Sequence, residues 1–174
     1  MKDYEVIDSL LARLATPVGR HLYAVLGTYR TLEGFAGKLQ QAKMPDGQPF
    51  PPPSSANSGI LDAIPDDEFH QLAADEARHP EPTAAHVAKA FEKFLRTKLA
   101  SGGVLVLAGL EMLFAYRVDL GLLRTLTTDQ NRLILLLPGT RMGDRIGLFP
   151  DLDQGSYLLP KNLVADNHIW ELER

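Results

Sequence analysis

Gly27, at the end of the apolar run HLYAVL, stands where a phosphate-cradling loop would begin. That chemistry needs G-x-x-x-x-G-K-[ST]: glycines so that backbone N–H groups can approach the phosphates, a lysine to neutralise them, and a hydroxyl for Mg²⁺. Counting on from Gly27, the second glycine position holds Leu32, the lysine position Glu33 and the hydroxyl position Gly34. A carboxylate in place of the cation repels phosphate. The acid that would hold Mg²⁺ belongs at the end of a second apolar strand, yet that run closes as Leu107-Ala108-Gly109, with Glu111 only beyond it. ATP hydrolysis is not expected.

Other catalytic sets are no better supplied. The histidines at 21, 70, 79, 86 and 168 contain no i,i+4 pair, so no helical metal site is expected, and there is no G-x-S-x-G nucleophile elbow. Asp66, Asp67 and Glu68 read as a charged helix start, not as paired catalytic carboxylates. The absence of cysteine removes disulfides, thiolate zinc sites and thiol nucleophiles together, and agrees with a reducing, cytoplasmic location. No enzyme activity, cofactor or metal is expected.

The elements that would position any site centre on residues 102–139. Two short runs, Val104–Ala108 and Leu133–Leu137, are apolar at every position, as strands covered on both faces must be. Helically spaced residues between them make a βαβ unit, hence two parallel strands. Before this unit, helices are expected over 1–14, 31–43, 66–78 and 83–100, with Asp66 and Thr83 as caps, and His21–Leu26 as a strand. Asp119 caps Leu120–Leu126. Strands at Arg145–Phe149 and His168–Leu172 follow, separated by a turn at Asp151–Gly155. The fold class is therefore α/β: a three-layer arrangement with a mostly parallel central sheet and helices on both faces. It is P-loop-NTPase-like but without a working phosphate loop.

At 174 residues the chain fits one domain over 1–174. Residues 44–59 carry five prolines and read as a surface loop or disordered insert. The longest apolar stretch, Val104–Tyr116, is interrupted by Glu111 and is too short to span a membrane. The first residues read as an amphipathic helix and not as a signal peptide. A net charge of −4 gives no general attraction to nucleic-acid phosphates, so direct nucleic-acid binding is not expected.

In a parallel sheet the carboxyl ends of the strands share one edge, where ligands and partners dock. That edge would gather Tyr29 and Arg30, then Glu111, then Thr140 and Arg141. Arginine and tyrosine commonly anchor interfaces, so these residues are candidates for binding a protein partner.

The stretch LVLAGLEMLFAYRVDLGLLRTL, followed by LILLLPGTRMGDRIGLFPDLDQGSYLL, resembles the C-terminal half of BrxB proteins from BREX bacteriophage-defence systems. The likeness lies in an ordered set: Ala108-Gly109, Tyr116-Arg117, Leu122, Leu123 and Leu126, Pro138-Gly139 and Leu148-Phe149. It covers about residues 103–160, while the proline-rich stretch and the final NHIWELER depart from the pattern. Val106–Phe114 also resembles BrxF, a small P-loop protein of the same systems. The BrxB resemblance implies a non-enzymatic adaptor that docks a PglZ-like phosphatase-family protein and, through it, a DNA methyltransferase. It adds Arg117 to the partner-binding candidates. A degenerate, BrxF-like nucleotide-binding regulator and a DNA-contacting subunit of the same complex are the alternatives.

Overall fold

A computed structural model describes residues 1–152 and 157–173. In chain order the first half contains α1 (Asp3–Leu14), β1 (Leu22–Gly27), α2 (Tyr29–Gln41), β2 (Ser54–Ser55), α3 (Ala56–Ala63), α4 (Asp66–Asp75) and α5 (Pro80–Leu99). The second half contains β3 (Gly103–Ala108), α6 (Glu111–Ala115), α7 (Gly121–Leu126), β4 (Asn131–Met142), β5 (Arg145–Leu148), β6 (Tyr157–Leu158) and β7 (Ile169–Glu171).

The central strands are apolar at successive positions because each supplies two cores. Leu22, Ala24 and Leu26 of β1 face one core with Leu105 and Leu107 of β3 and Leu133, Leu135 and Leu137 of β4. Tyr23, Val25, Val106, Ile134 and Leu136 face the other. Val6, Leu10 and Leu14 of α1 and Leu32, Phe35 and Leu39 of α2 cover the second face. Ile60 of α3, Val87, Phe91 and Leu95 of α5, Leu113 of α6 and Leu123 of α7 cover the first. Helices on both faces of a mostly parallel sheet give the expected α/β layering. Among the described residues no helix is long and apolar enough to cross a membrane.

The sheet order is β2-β3-β4-β1-β7, and every neighbouring pair in it is parallel. The two apolar runs that the sequence singles out lie side by side, with Leu105 opposite Leu133 and Val106 opposite Ile134. The parallel strand after β1 is β2, at one edge. The parallel strand after β4 is β7, on the other side of β1. β1 and β4 are thus neighbours whose continuations diverge, which defines the switch point of an open α/β sheet.

Several expectations are corrected. The strand that carries the second apolar run does not end with it at Leu137 but passes through Pro138-Gly139. The parallel ladder with β1 stops at the Gly27–Pro138 pair, and β4 continues to Met142 against antiparallel β5. Proline has no N–H to donate, so it is tolerated where β1 has already turned away. A short helix, Glu111–Ala115, precedes the expected one near 120–126, and the chain breaks between the two at Arg117 with φ 52°. Leu120, not Asp119, holds the cap position of the second, and Asp119 Oδ1 accepts the Gly121 N–H at 2.8 Å from one residue before it.

The insert at 44–59 is also shorter in effect. Phe50 is buried, Ser54–Ser55 adds a parallel edge strand to β3, and Ser55 caps α3 by accepting the Ser58 N–H. Thr83 does not cap α5: the helix starts at Pro80, as proline allows in a first turn, and Thr83 is buried inside it. Pro65, not Asp66, holds the cap position of α4. The expected turn at Asp151–Gly155 lies partly outside the described residues; its described part comes after Phe149, whose carbonyl accepts the Leu152 N–H at 3.0 Å.

At the amino end of β1, His21 is buried and its Nδ1 is 2.8 Å from the hydroxyl of Tyr23, whose ring also packs against that of His168. Burial disfavours the charged imidazole and holds His21 and His168 below the usual histidine range.

Two glycines test the packing with opposite signs. A Cβ on Gly139 would come within 2.5 Å of the Gly147 carbonyl oxygen, whereas one on Gly34, in α2, meets nothing within 4 Å. Gly139→Ala is expected to destabilise by about 1–3 kcal/mol, and Gly34→Ala to stabilise by about 0.5–1 kcal/mol. Denaturant unfolding of both variants measures this; the opposite pair of signs would refute the β4–β5 approach.

Candidate functional site

The carboxyl rim of the sheet is built by the turn and helix that leave the end of each strand. β1 ends at Gly27, and Thr28 alone separates it from α2. Thr28 caps that helix with its own side chain: Oγ1 accepts the Thr31 N–H at 3.1 Å, while the Thr28 N–H donates to Thr31 Oγ1 at 2.9 Å. A Cβ on Gly27 would lie 2.6 Å from Thr31 Oγ1, so the chain is packed tightly here. The positions where the lysine and hydroxyl of a phosphate loop would fall, Glu33 and Gly34, are inside α2.

β3 ends at Ala108, and Gly109 takes φ 59°, a left-handed conformation that glycine adopts without penalty. A Cβ there would lie 2.8 Å from Ser55 Oγ. The turn delivers Glu111 to the start of α6. Tyr29 donates its hydroxyl to Glu111 Oε1 at 2.9 Å, and Asn57 Nδ2 donates to Oε2 at 2.8 Å. Asn57 also holds both sides of the turn: its backbone N–H donates to the Gly109 carbonyl at 2.8 Å, and its Oδ1 accepts the Met112 N–H at 3.0 Å. Leu110 precedes α6 without a side-chain cap, so α3 supplies the acceptor that the helix lacks.

Burial, the hydrogen bond to Glu111 and the charge of that carboxylate push the Tyr29 phenol well above its ordinary range. Tyr29 therefore stays a neutral donor and cannot serve as a base near neutral pH. Tyr116, whose hydroxyl donates to Glu76, is pushed up to about 12 by burial and that hydrogen bond.

A second cluster forms on the other side of β1. Thr140 donates its hydroxyl to Glu171 Oε1, and the Arg141 N–H donates to Oε2 at 3.2 Å. The Arg141 guanidinium donates to the Ile169 carbonyl at 3.2 Å and approaches the Asp166 carbonyl at 3.5 Å. It is engaged in holding β7 in place.

The candidates thus separate into three groups. Tyr29 and Glu111 meet each other, and Thr140 and Arg141 meet Glu171. Arg30 and Arg117 are exposed and enter no ion pair among the described residues. Arg117 does not pair with Asp119; it follows α6 at the helix break. Asn57 and Glu171 were not legible as site residues. Asn57 sits in a stretch whose prolines read as a loop, and Glu171 in a terminal segment with no motif.

Beside the first cluster lies a groove of about 490 Å³ between α2 and the ends of β3 and β4, lined also by Pro53. Its walls are mainly apolar, with Leu32, Ala36, Ala108, Leu136 and Pro138 among them, and its charged lining residues are Glu33 and Glu111. Among the described residues, no three His, Cys, Asp or Glu converge to hold a metal ion. Comparison with protein-family models, with curated proteins and with solved structures finds no match to this chain.

The rim geometry separates structural from spare side chains. Asn57→Ala removes a helix cap and a donor to Glu111 together, and is expected to cost about 1–2 kcal/mol. Arg30→Ala, on the exposed start of α2, should change stability by less than about 0.5 kcal/mol. Equal losses in chemical denaturation would show that Asn57 does not hold the β3–α6 turn.

Proposed function

We propose that the chain is a non-catalytic adaptor of a BREX-type antiphage system, docking a PglZ-like phosphatase-family protein at the carboxyl rim of its sheet and, through it, a DNA methyltransferase. The observation that carries this reading is the start of α2. β1 adjoins β4 at a switch point and leads directly into a helix, as in a P-loop-like nucleotide scaffold. Yet the link is one residue, and the Thr28 hydroxyl already accepts one of the first N–H groups of the helix. A phosphate has no loop to enter. Glu33 and Glu111 line the adjoining groove, where cations would be needed to hold a nucleotide.

What the rim offers instead is a set of side chains suited to a protein surface. Exposed Tyr29 and Arg30 begin α2, and exposed Arg117 follows α6. The residues behind the BrxB resemblance fall at element ends and junctions of this architecture. Ala108-Gly109 closes β3, Tyr116-Arg117 breaks the helix, Pro138-Gly139 switches the partner of β4, and Leu148-Phe149 closes β5. The same carboxylates disfavour the alternative of contact with nucleic-acid phosphates at this groove.

Co-expression with a PglZ-like protein of a BREX system tests the reading. A stoichiometric complex on size-exclusion chromatography is expected. Arg30→Glu and Arg117→Glu together should weaken it at least about tenfold without lowering the melting temperature, because an interface anchor typically contributes more than about 1.4 kcal/mol. Failure of the two proteins to associate, or association indifferent to both reversals, would overturn rim docking.

A further inference from the structure

We infer that the groove between α2 and the ends of β3 and β4 receives an arginine side chain from the docked protein partner. The inference rests on the rim-docking reading for the source of the side chain. Its chemistry is independent of that reading.

Three observations choose this occupant. At about 490 Å³ the groove is in the size range of ligand pockets and can hold a long side chain with its neighbours. Its apolar walls, such as Leu32, Ala36 and Leu136, suit a methylene stem. Its charged lining is acidic only: Glu33 on α2 and Glu111 across the groove, with no lysine or arginine among the described lining residues. An anionic ligand would be repelled, and a purely apolar one would leave two carboxylates facing it.

Glu111 is also held ready for a forked cation. Each of its oxygens already accepts one hydrogen bond, from Tyr29 and from Asn57, which fixes the carboxylate in place. A carboxylate offers about four lone-pair positions, so a further position remains on each oxygen. A guanidinium matches such a pair with two parallel N–H donors, where an ammonium cannot. Tyr29, 44% exposed at the mouth, adds an aromatic ring on which a guanidinium plane can stack.

The test uses the full ¹⁵N-labelled chain and n-hexylguanidinium, which carries the head and stem of the expected side chain. Saturable NMR shifts are expected at the amides of Gly37, Gly109 and Glu111. Glu33→Gln, on the exposed face of α2, should weaken binding at least about threefold while leaving the spectrum folded, and Glu111→Gln should weaken it further. n-Hexanoate should produce no saturable shift. Absence of saturable shifts with hexylguanidinium, equal binding of hexanoate, or indifference to Glu33→Gln would each overturn the inference. Association with the PglZ-like protein is measured separately, so loss of the groove chemistry and loss of rim docking give different results.

Discussion

The parallel ladder between β1 and β4 constrains the rest of the molecule. It runs from Leu22 opposite Leu133 to Gly27 opposite Pro138, and it stops where neither strand can continue it. Pro138 has no N–H, and the residue after Gly27 has already become the cap of α2. Because both strands are buried on both faces, a one-residue slip would exchange the side chains assigned to the two cores. The ladder therefore fixes the height at which α2 begins, the point where β4 changes partner, and the line of the carboxyl rim.

The rim is set by that line. With Thr28 as the sole link, α2 starts flush with the sheet and projects Tyr29 toward the end of β3. The Gly109 turn sends Glu111 back to meet it, and Asn57 holds the turn from behind. On the other side of β1, the extension of β4 past Pro138 brings Thr140 and Arg141 over β7, where Glu171 and the strand carbonyls engage them. The same stretch of sheet edge thus carries one cluster that lines a groove and one that closes the sheet. Which arginine is structural depends on which strand it follows: Arg141 stays with the ladder, whereas Arg30 and Arg117 begin or follow helices and remain exposed.

Much of the scaffold was legible because period and burial coincide. Runs such as LYAVL and LILLL can be apolar at every position only if both faces are covered, and the helical spacing between Val104–Ala108 and Leu133–Leu137 made β3 and β4 a parallel pair. Glu92 and Arg96 paired across one helical turn as their spacing indicates. The edge strand was hidden, because two serines after three prolines carry no period and pair only through backbone supplied by β3. The helix before Arg117 was hidden because the five residues Glu111–Ala115 are too short to show a helical period of their own. Tyr29 and Glu111 were placed together by counting strand ends. Asn57, their shared support, comes from an element that tertiary contact alone brings to the rim.

A closed start to α2, with acids where cations would be, is the difference between this α/β sheet and one that holds a nucleotide. Thermal unfolding of the full chain with and without ATP and Mg²⁺ measures that difference directly. No change in melting temperature at millimolar nucleotide is expected. A rise that grows with nucleotide concentration, reaching about 2.7 kcal/mol of stabilisation at 100 times the dissociation constant, would contradict it.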